Sequence, residues 1–489
     1  MSYRLLCKVV GLLVLLIAVS LLVCEIYGFF ADAPARVHSR DYALLRSFGV
    51  TLAAGAGLLW FGRGSGREIL RKEAIAIVGL GWLLCAAAGA LPFLFCTPGL
   101  DPAAAFFESV SGFTTTGSTA IVDLTQFPRS ILLWRAMTQW LGGMGILVLF
   151  VALLSSLGVG SKALFRHEST AQIGYGFHSR IRQTAMGLWS LYTALTAVCV
   201  AGLVAFGMPF YDALLHSFTA ISTGGFSPRN ESLMYYRNAG IEFWICIFMF
   251  LGGTNFLLMV RALRRDSEGV RKEEEFRAYF GIVVVATAAV ALDLMIRQGL
   301  PFFHSLRWSS FQVISILTTT GFVSADFDLW PKLSQAILVL LMFVGGCSGS
   351  TAGGVKVGRI VVFLKTTVQQ LMNSFRPNHV IPVRLNGNVL EESQKTAALF
   401  FIALTGAIVV VGTLLIALLE PNLSLVSSFT SVAATLFNIG PGLGAVGATQ
   451  NYGFFSSPSH LVFSLLMLLG RLEYFALLVL LLPSLWKRY

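Results

Sequence analysis

Four short clusters of small polar residues and glycine recur along the chain: FTTTGST at 113–119, AISTGGF at 220–226, ILTTTGF at 316–322 and LFNIGPG at 436–442. Aligned on Gly117, Gly224, Gly321 and Gly440, they place Thr115, Ser222, Thr319 and Asn438 two positions earlier. One position earlier stand Thr116, Thr223, Thr320 and Ile439. The chemistry that backbone of this kind offers is cation coordination, because a ring of carbonyl oxygens replaces an ion's hydration water without setting full negative charges in its path. Glycine suits such a backbone, since it alone reaches left-handed or mirror-β dihedrals without a steric penalty. One such cluster reads as an ordinary turn or a packing glycine. Four in one register are hard to read that way.

The anchors are separated by 107, 97 and 119 residues. Each interval holds an apolar stretch leaving one cluster, a basic loop, and an apolar stretch returning to the next. A helix crosses a bilayer with about 20 mostly apolar residues. Ten stretches meet that standard, near 5–30, 42–62, 74–96, 130–157, 184–208, 239–260, 279–296, 333–364, 397–419 and 460–486. Before each cluster runs a semi-apolar segment of about a dozen residues, too short to span, which reads as a helix that enters the membrane partway and returns as extended backbone. The expected architecture is an all-α polytopic membrane protein with one pseudo-fourfold pore. Two N-terminal helices (1–72) precede four helix, pore-loop, helix repeats at 73–162, 183–265, 277–366 and 395–487. If the short helices turn their C-terminal ends inward, their dipoles favour a cation on the axis.

The composition agrees. The 489 residues are 56% hydrophobic and 12% charged, with a mean hydropathy of +0.76, whereas soluble domains carry about 25% charged residues. The net charge of +11 lies between apolar runs rather than in a basic stripe with interleaved aromatics, so nucleic acid is not an expected partner. Basic loops at 63–72, 162–182, 261–277 and 365–395 place both termini in the cytoplasm. The run RALRRDSEGVRKEEEFR at 261–277 mixes both signs, as a solvated loop or a docking segment does. The first apolar run follows Arg4 and Lys8 in the manner of a signal peptide, but the small-residue site Ala33-Pro34-Ala35 lies well beyond its end, so the helix is read as retained. The seven cysteines and seven histidines are scattered without zinc-ligand spacing. No HExxH helix, paired aspartates or Ser-His arrangement marks a membrane enzyme.

Two features lie on the expected ion path. Residues 333–364 would measure about 48 Å as one helix against a hydrocarbon core of about 30 Å, and the middle of that stretch is GGCSGSTAGG at 345–354. With Gly345, Gly346, Gly349, Gly353 and Gly354, this composition predicts an unwound loop. Such a loop is tolerated at membrane depth only where protein or a water-filled cavity satisfies it. Glycines for tight helix packing are the alternative; a phosphate-binding loop fails because Gly354-Val355 stands where Gly-Lys is required. Arg471 lies well inside the last span, where a charge needs a cavity or a partner. Carbonyls of the 345–354 loop are its expected partners, with an interhelical salt bridge as the alternative.

These clusters resemble the pore segments of the Trk/Ktr/HKT superfamily of potassium transporters, and the two extra N-terminal helices resemble the bacterial Trk membrane subunit. The resemblance covers nearly the whole chain. It implies potassium uptake across the bacterial inner membrane, with Gly117, Gly224, Gly321 and Gly440 in the selectivity filter. Gly117 implies a preference for potassium, since members with serine at that position tend towards sodium. The divergent fourth cluster, Asn438-Ile439-Gly440-Pro441-Gly442, is of a kind common in the family. The resemblance further implies that the 345–354 loop, with Lys356 beside it, obstructs the pore as a gate and that Arg471 bears on the gate. It implies a homodimer in membrane lipid, bound to a cytosolic nucleotide-binding regulatory subunit, with no cofactor in this chain and K+ as the transported ion. The rival reading, a cation-coupled solute symporter with broken helices, predicts two inverted halves rather than four repeats of one orientation.

Overall fold

The computed structural model describes residues 2–31, 42–64, 71–145, 181–264, 266–376 and 382–486. Their secondary structure is helical apart from one two-stranded hairpin, Arg384–Leu385 with Asn388–Val389. Among the described residues, six helices are long and apolar enough to cross a membrane, and eight spans result if each of two bent helix pairs counts as one. The six are α1 (Tyr3–Ala31), α2 (Ala43–Phe61), α3 (Arg71–Phe95), α6 (Ile181–Ala205), α11 (Glu274–Gln298) and α15 (Glu392–Leu419).

Three of the ten expected spans are not single helices. The 239–260 stretch is α8 (Ala239–Gly252) and α9 (Phe256–Leu263), bent by 103° and followed by the short α10 (Ser267–Lys272). The 460–486 stretch breaks by 115° between α17 (Ser457–Arg471) and α18 (Phe475–Leu478) with its continuation to Leu481. The 333–364 stretch divides into α13 (Lys332–Met342) and α14 (Val357–Phe375), with the glycine-rich segment between them. Apolar composition does not reveal the first two breaks, since the residues on either side remain apolar, whereas the third is the unwound segment that the glycines at 345–354 predict. The 130–157 stretch begins as α5 (Arg129–Gly143); its remainder from residue 146, the loop 162–182 up to residue 180, and the site at 33–35 lie outside the described residues.

The four short segments are helices α4 (Pro102–Phe113), α7 (Phe210–Ile221), α12 (Phe302–Leu317) and α16 (Leu425–Leu436). At 1.5 Å per residue they measure about 18 to 24 Å, less than a hydrocarbon core. Their starts are set locally. Asp101 accepts hydrogen bonds from Ala103 N and Ala104 N ahead of Pro102, Ser424 caps Ser427 N, and Pro209 and Pro301 precede the other two. These are favoured entries to a helix, because they satisfy or dispense with its unpaired amides.

Helix contacts run in sequence: α5 packs on α7, α8 on α12, α13 on α16, and α17 back on α4. The short helices are thus each held by the helix that leaves the preceding cluster. α1 packs on α2, α3 and α5, burying Leu13, Ile17 and Leu21.

Candidate cation site

All four short helices end in the same turn. Thr115 N, Thr223 N, Thr319 N and Asn438 N donate to the carbonyls of Gly112, Ala220, Ile316 and Thr435. The next amides, Thr116 N, Gly224 N, Thr320 N and Ile439 N, donate to Ser111, Thr219, Ser315 and Ala434. Positive φ follows the same order: 55° at Thr115, 53° at Thr223, 56° at Thr319 and 57° at Asn438, then 85° at Gly117, 76° at Gly225, 78° at Gly321 and 101° at Gly440. This corrects the alignment of the second cluster by one residue. Its equivalents of Thr115-Thr116-Gly117 are Thr223-Gly224-Gly225, not Ser222-Thr223-Gly224. Two adjacent glycines made the sequence ambiguous, and only Gly225 takes the left-handed conformation.

The turns meet one another in a closed series. A methyl group built on Gly117 would lie 2.3 Å from the Gly224 carbonyl oxygen, on Gly225 1.9 Å from Thr320 O, on Gly321 1.8 Å from Ile439 O, and on Gly440 2.9 Å from Thr116 O. Each anchor therefore needs glycine twice over, for its dihedral and for the neighbouring carbonyl against its Cα. The fourth turn differs in detail, since Gly440 O accepts hydrogen bonds from Ser118 Oγ at 3.2 Å and Tyr452 Oη at 3.1 Å. Thr115 Oγ1 and Asn438 Oδ1 are buried oxygens with no hydrogen-bond partner among the described residues.

Behind the turns stand polar residues that sequence reading did not single out. Buried Glu108 pairs with Arg135 at 2.6 Å and accepts from Thr119 Oγ1 and Ala120 N. Arg135 also donates to Ser227 O at 2.9 Å and lies over the Phe226 ring. Gln139 contacts the second turn from α5, donating to Gly224 O and accepting from Phe226 N.

A second fourfold signal becomes visible once the helices are superimposed in order: QWLGG at 139–143, MFLGG at 249–253, MFVGG at 342–346 and MLLGR at 467–471. In the first, second and fourth units the first glycine of the pair packs on the end of its own short helix, while Gly345 of the third packs on Gly353. A methyl group at Gly142 would lie 1.9 Å from Phe113 O, and one at Gly470 1.8 Å from Leu436 O. Arg471 stands where Gly143 and Gly253 stand in the first two units.

The glycine-rich segment at 345–354 is non-helical and lies against the turns, as its composition predicts. Gly353 N donates to Thr319 Oγ1 at 2.7 Å, Thr351 Oγ1 lies 3.2 Å from Thr223 Oγ1, and a methyl group on Gly353 would lie 2.5 Å from Phe437 O. Gly345 N bonds Val355 O, closing the loop at its neck; a methyl group on Gly345 would lie 2.1 Å from Gly353 O, and Gly349 and Gly354 have φ of 75° and 66°. Val357 N donates to Gly346 O, Cys347 N to Gly253 O, and buried Lys356 Nζ to Ala352 O. Arg471 donates to Thr351 O at 2.7 Å, to Gly142 O at 2.7 Å and to Gly143 O at 3.0 Å. It thus joins the loop to the end of α5, while its neighbour Glu473 pairs with Arg359. Glu275 of α11 anchors the loop's other side, accepting at one carboxylate oxygen from Ser348 N, Ser348 Oγ and Gly358 N at 2.7 to 2.9 Å.

Backbone carbonyls closing on one another in this way suit passage of a cation. Comparisons with known proteins agree. The TrkH family profile, described as cation transport protein, matches residues 42–292 and 294–488. The chain is 37% identical over 495 residues to the Trk system potassium uptake protein TrkH of Salmonella typhimurium and 36% identical over 495 residues to that of Escherichia coli K12, with 100% of each chain covered. Its structure is similar to the crystal structure of the potassium transporter TrkH from Vibrio parahaemolyticus, with a TM-score of 0.87, 33% identity and full coverage of both chains. The closed series of glycine turns, the loop lying against it and these full-length similarities have one explanation: the chain belongs to the TrkH family of cation transport proteins, within the Trk/Ktr/HKT superfamily.

Proposed function

We propose that this protein carries potassium into the cell through a pore on the axis of its four turns. The observation that carries the reading is the closed series in which each anchor glycine lies against the next unit's carbonyl. Four such turns, each at the C-terminal end of a short helix, surround a point with carbonyl oxygens and helix-end negative potential, which favours a desolvated cation. The printed names of the relatives, potassium uptake proteins of full matching length, support potassium as the ion. The buried oxygens of Thr115 and Asn438, which no described protein group satisfies, are suited to an ion or its water.

In this reading the filter is formed by Thr115-Thr116-Gly117, Thr223-Gly224-Gly225, Thr319-Thr320-Gly321 and Asn438-Ile439-Gly440. The four repeats keep the boundaries 73–162, 183–265, 277–366 and 395–487, after an N-terminal pair at 1–72 whose first helix is retained. The burial of α1 against α2, α3 and α5 supports that retention. The 345–354 loop, with its five glycines and Lys356, closes the path below the filter, and Arg471 holds it closed and repels cations. The protein works as a homodimer in the lipid of the bacterial inner membrane, with both termini cytoplasmic. A cytosolic nucleotide-binding subunit moves the gate.

The test is cation flux into liposomes containing the purified chain, comparing wild type with Gly117→Ser. A side chain at residue 117 meets Gly224 O, so the variant should lose preference for potassium and rubidium over sodium. An unaltered preference would remove Gly117 from the filter.

A further inference from the structure

The four turns and the four helices behind them each contain one exception, and the two exceptions touch. At the middle turn position three units carry β-branched residues, Thr116, Thr320 and Ile439, while the second carries Gly224. Three residues ahead of the helix-end glycine, three units carry Met249, Met342 and Met467, while the first carries Gln139. All four of these helix residues are fully buried. Gln139 Nε2 donates to Gly224 O at 2.7 Å, and Gln139 Oε1 accepts from Phe226 N at 3.1 Å. A methyl group on Gly224 would lie 2.4 Å from Gln139 Cδ and Oε1. The carboxamide therefore occupies the space that the missing side chain would need.

We infer that Gln139 is a positioning residue for the selectivity filter, holding the second turn by its backbone where the other turns have a β-branched side chain in that place. A carboxamide carries a donor and an acceptor side by side, so it donates to a carbonyl and accepts from an amide two residues on, as a neighbouring peptide would. Methionine at residue 139 would fill comparable volume and make neither bond, leaving Gly224 O and Phe226 N short of a partner in a buried site. Gly224 O is also the carbonyl against which Gly117 packs. Movement of the second turn thus reaches the first.

The inference rests on the filter reading above, and the experiment separates the two. Flux of potassium and sodium is measured in liposomes for wild type, Gln139→Met, Gln139→Glu and the double variant Gln139→Met/Gly224→Thr. The selectivity ratio does not depend on how much protein is folded. It should fall by about tenfold in Gln139→Met, the size of one net buried hydrogen bond. Gln139→Glu keeps the shape and the acceptor but sets a carboxylate against Gly224 O, and its ratio should fall further. The double variant restores the pattern of the other units and should recover part of the ratio. Wild-type discrimination that persists unchanged in Gln139→Met, or in Gln139→Glu if Gln139→Met does not fold, overturns the inference and leaves the filter reading intact. A wild type that does not discriminate overturns the filter reading itself.

Discussion

Arg471 takes a position where the other three units have the closely packed glycines Gly143, Gly253 and Gly346. Its three hydrogen bonds end on carbonyls of α5 and of the glycine-rich loop, and bonds from a charged donor are the stronger kind. Arg471→Ala should raise potassium flux in the absence of any partner subunit, by about tenfold or more for loss of charge-assisted bonds worth roughly 1.5 to 3 kcal/mol each. Arg471→Lys should fall between, since an ammonium cannot reproduce the planar fork. Single-channel or liposome flux records would decide it, and an Arg471→Ala protein with unchanged flux would leave the residue structural. Much at this scale was legible in the chain: an arginine deep in an apolar span must find acceptors, and a loop rich in carbonyls was the nearest source. Gln139 was not legible, because a glutamine near the start of a span acquires meaning only when its tertiary neighbour Gly224 is known. The second turn was legible only to within one residue, since Gly224 and Gly225 differ in dihedral and not in type.

The segment between α13 and α14 is the element proposed above as the gate. It is bonded from several sides, by the end of α8, by α11, by the turn that follows α12 and by α17. Glu275 holds both ends, bonding Ser348 before the loop's apex and Gly358 after it. Two neighbours at the same helix start meet the two-stranded hairpin: Glu273 accepts from Asn386 Nδ2, and Glu274 N donates to Asn386 Oδ1. Glu275→Gln should loosen the loop and raise basal flux several-fold at unchanged ion preference, since bonds to a charged acceptor are worth about 1.5 to 3 kcal/mol. Flux together with the rubidium to sodium ratio checks this, and a changed ratio would place Glu275 with the filter rather than the gate. Gly142→Ala should instead act on the fold. Its methyl group would lie 1.9 Å from Phe113 O, so thermal unfolding in detergent should show a loss of about 1 to 3 kcal/mol, the usual result of overpacking. The loop was readable from its glycines. The bends after Gly252 and Arg471 were not, since hydropathy runs through both and each break is set by packing on a short helix.

Across the whole molecule, one kind of short helix and turn recurs four times with different side chains at equivalent points. The six unbroken helices lie where apolar length predicts them, because crossing lipid leaves little freedom for such stretches. The order of contacts that closes α17 onto α4 was implied by four clusters in register, whereas which helix braces which turn required the coordinates. In the proposed pathway the ion passes between the four turns. Crystals of this protein grown with rubidium in place of potassium, measured at the rubidium absorption edge, test it most directly. Anomalous density on the axis enclosed by residues 115–117, 223–225, 319–321 and 438–440 is the expected result. Rubidium bound elsewhere, with that axis empty in a protein that transports rubidium, would contradict it.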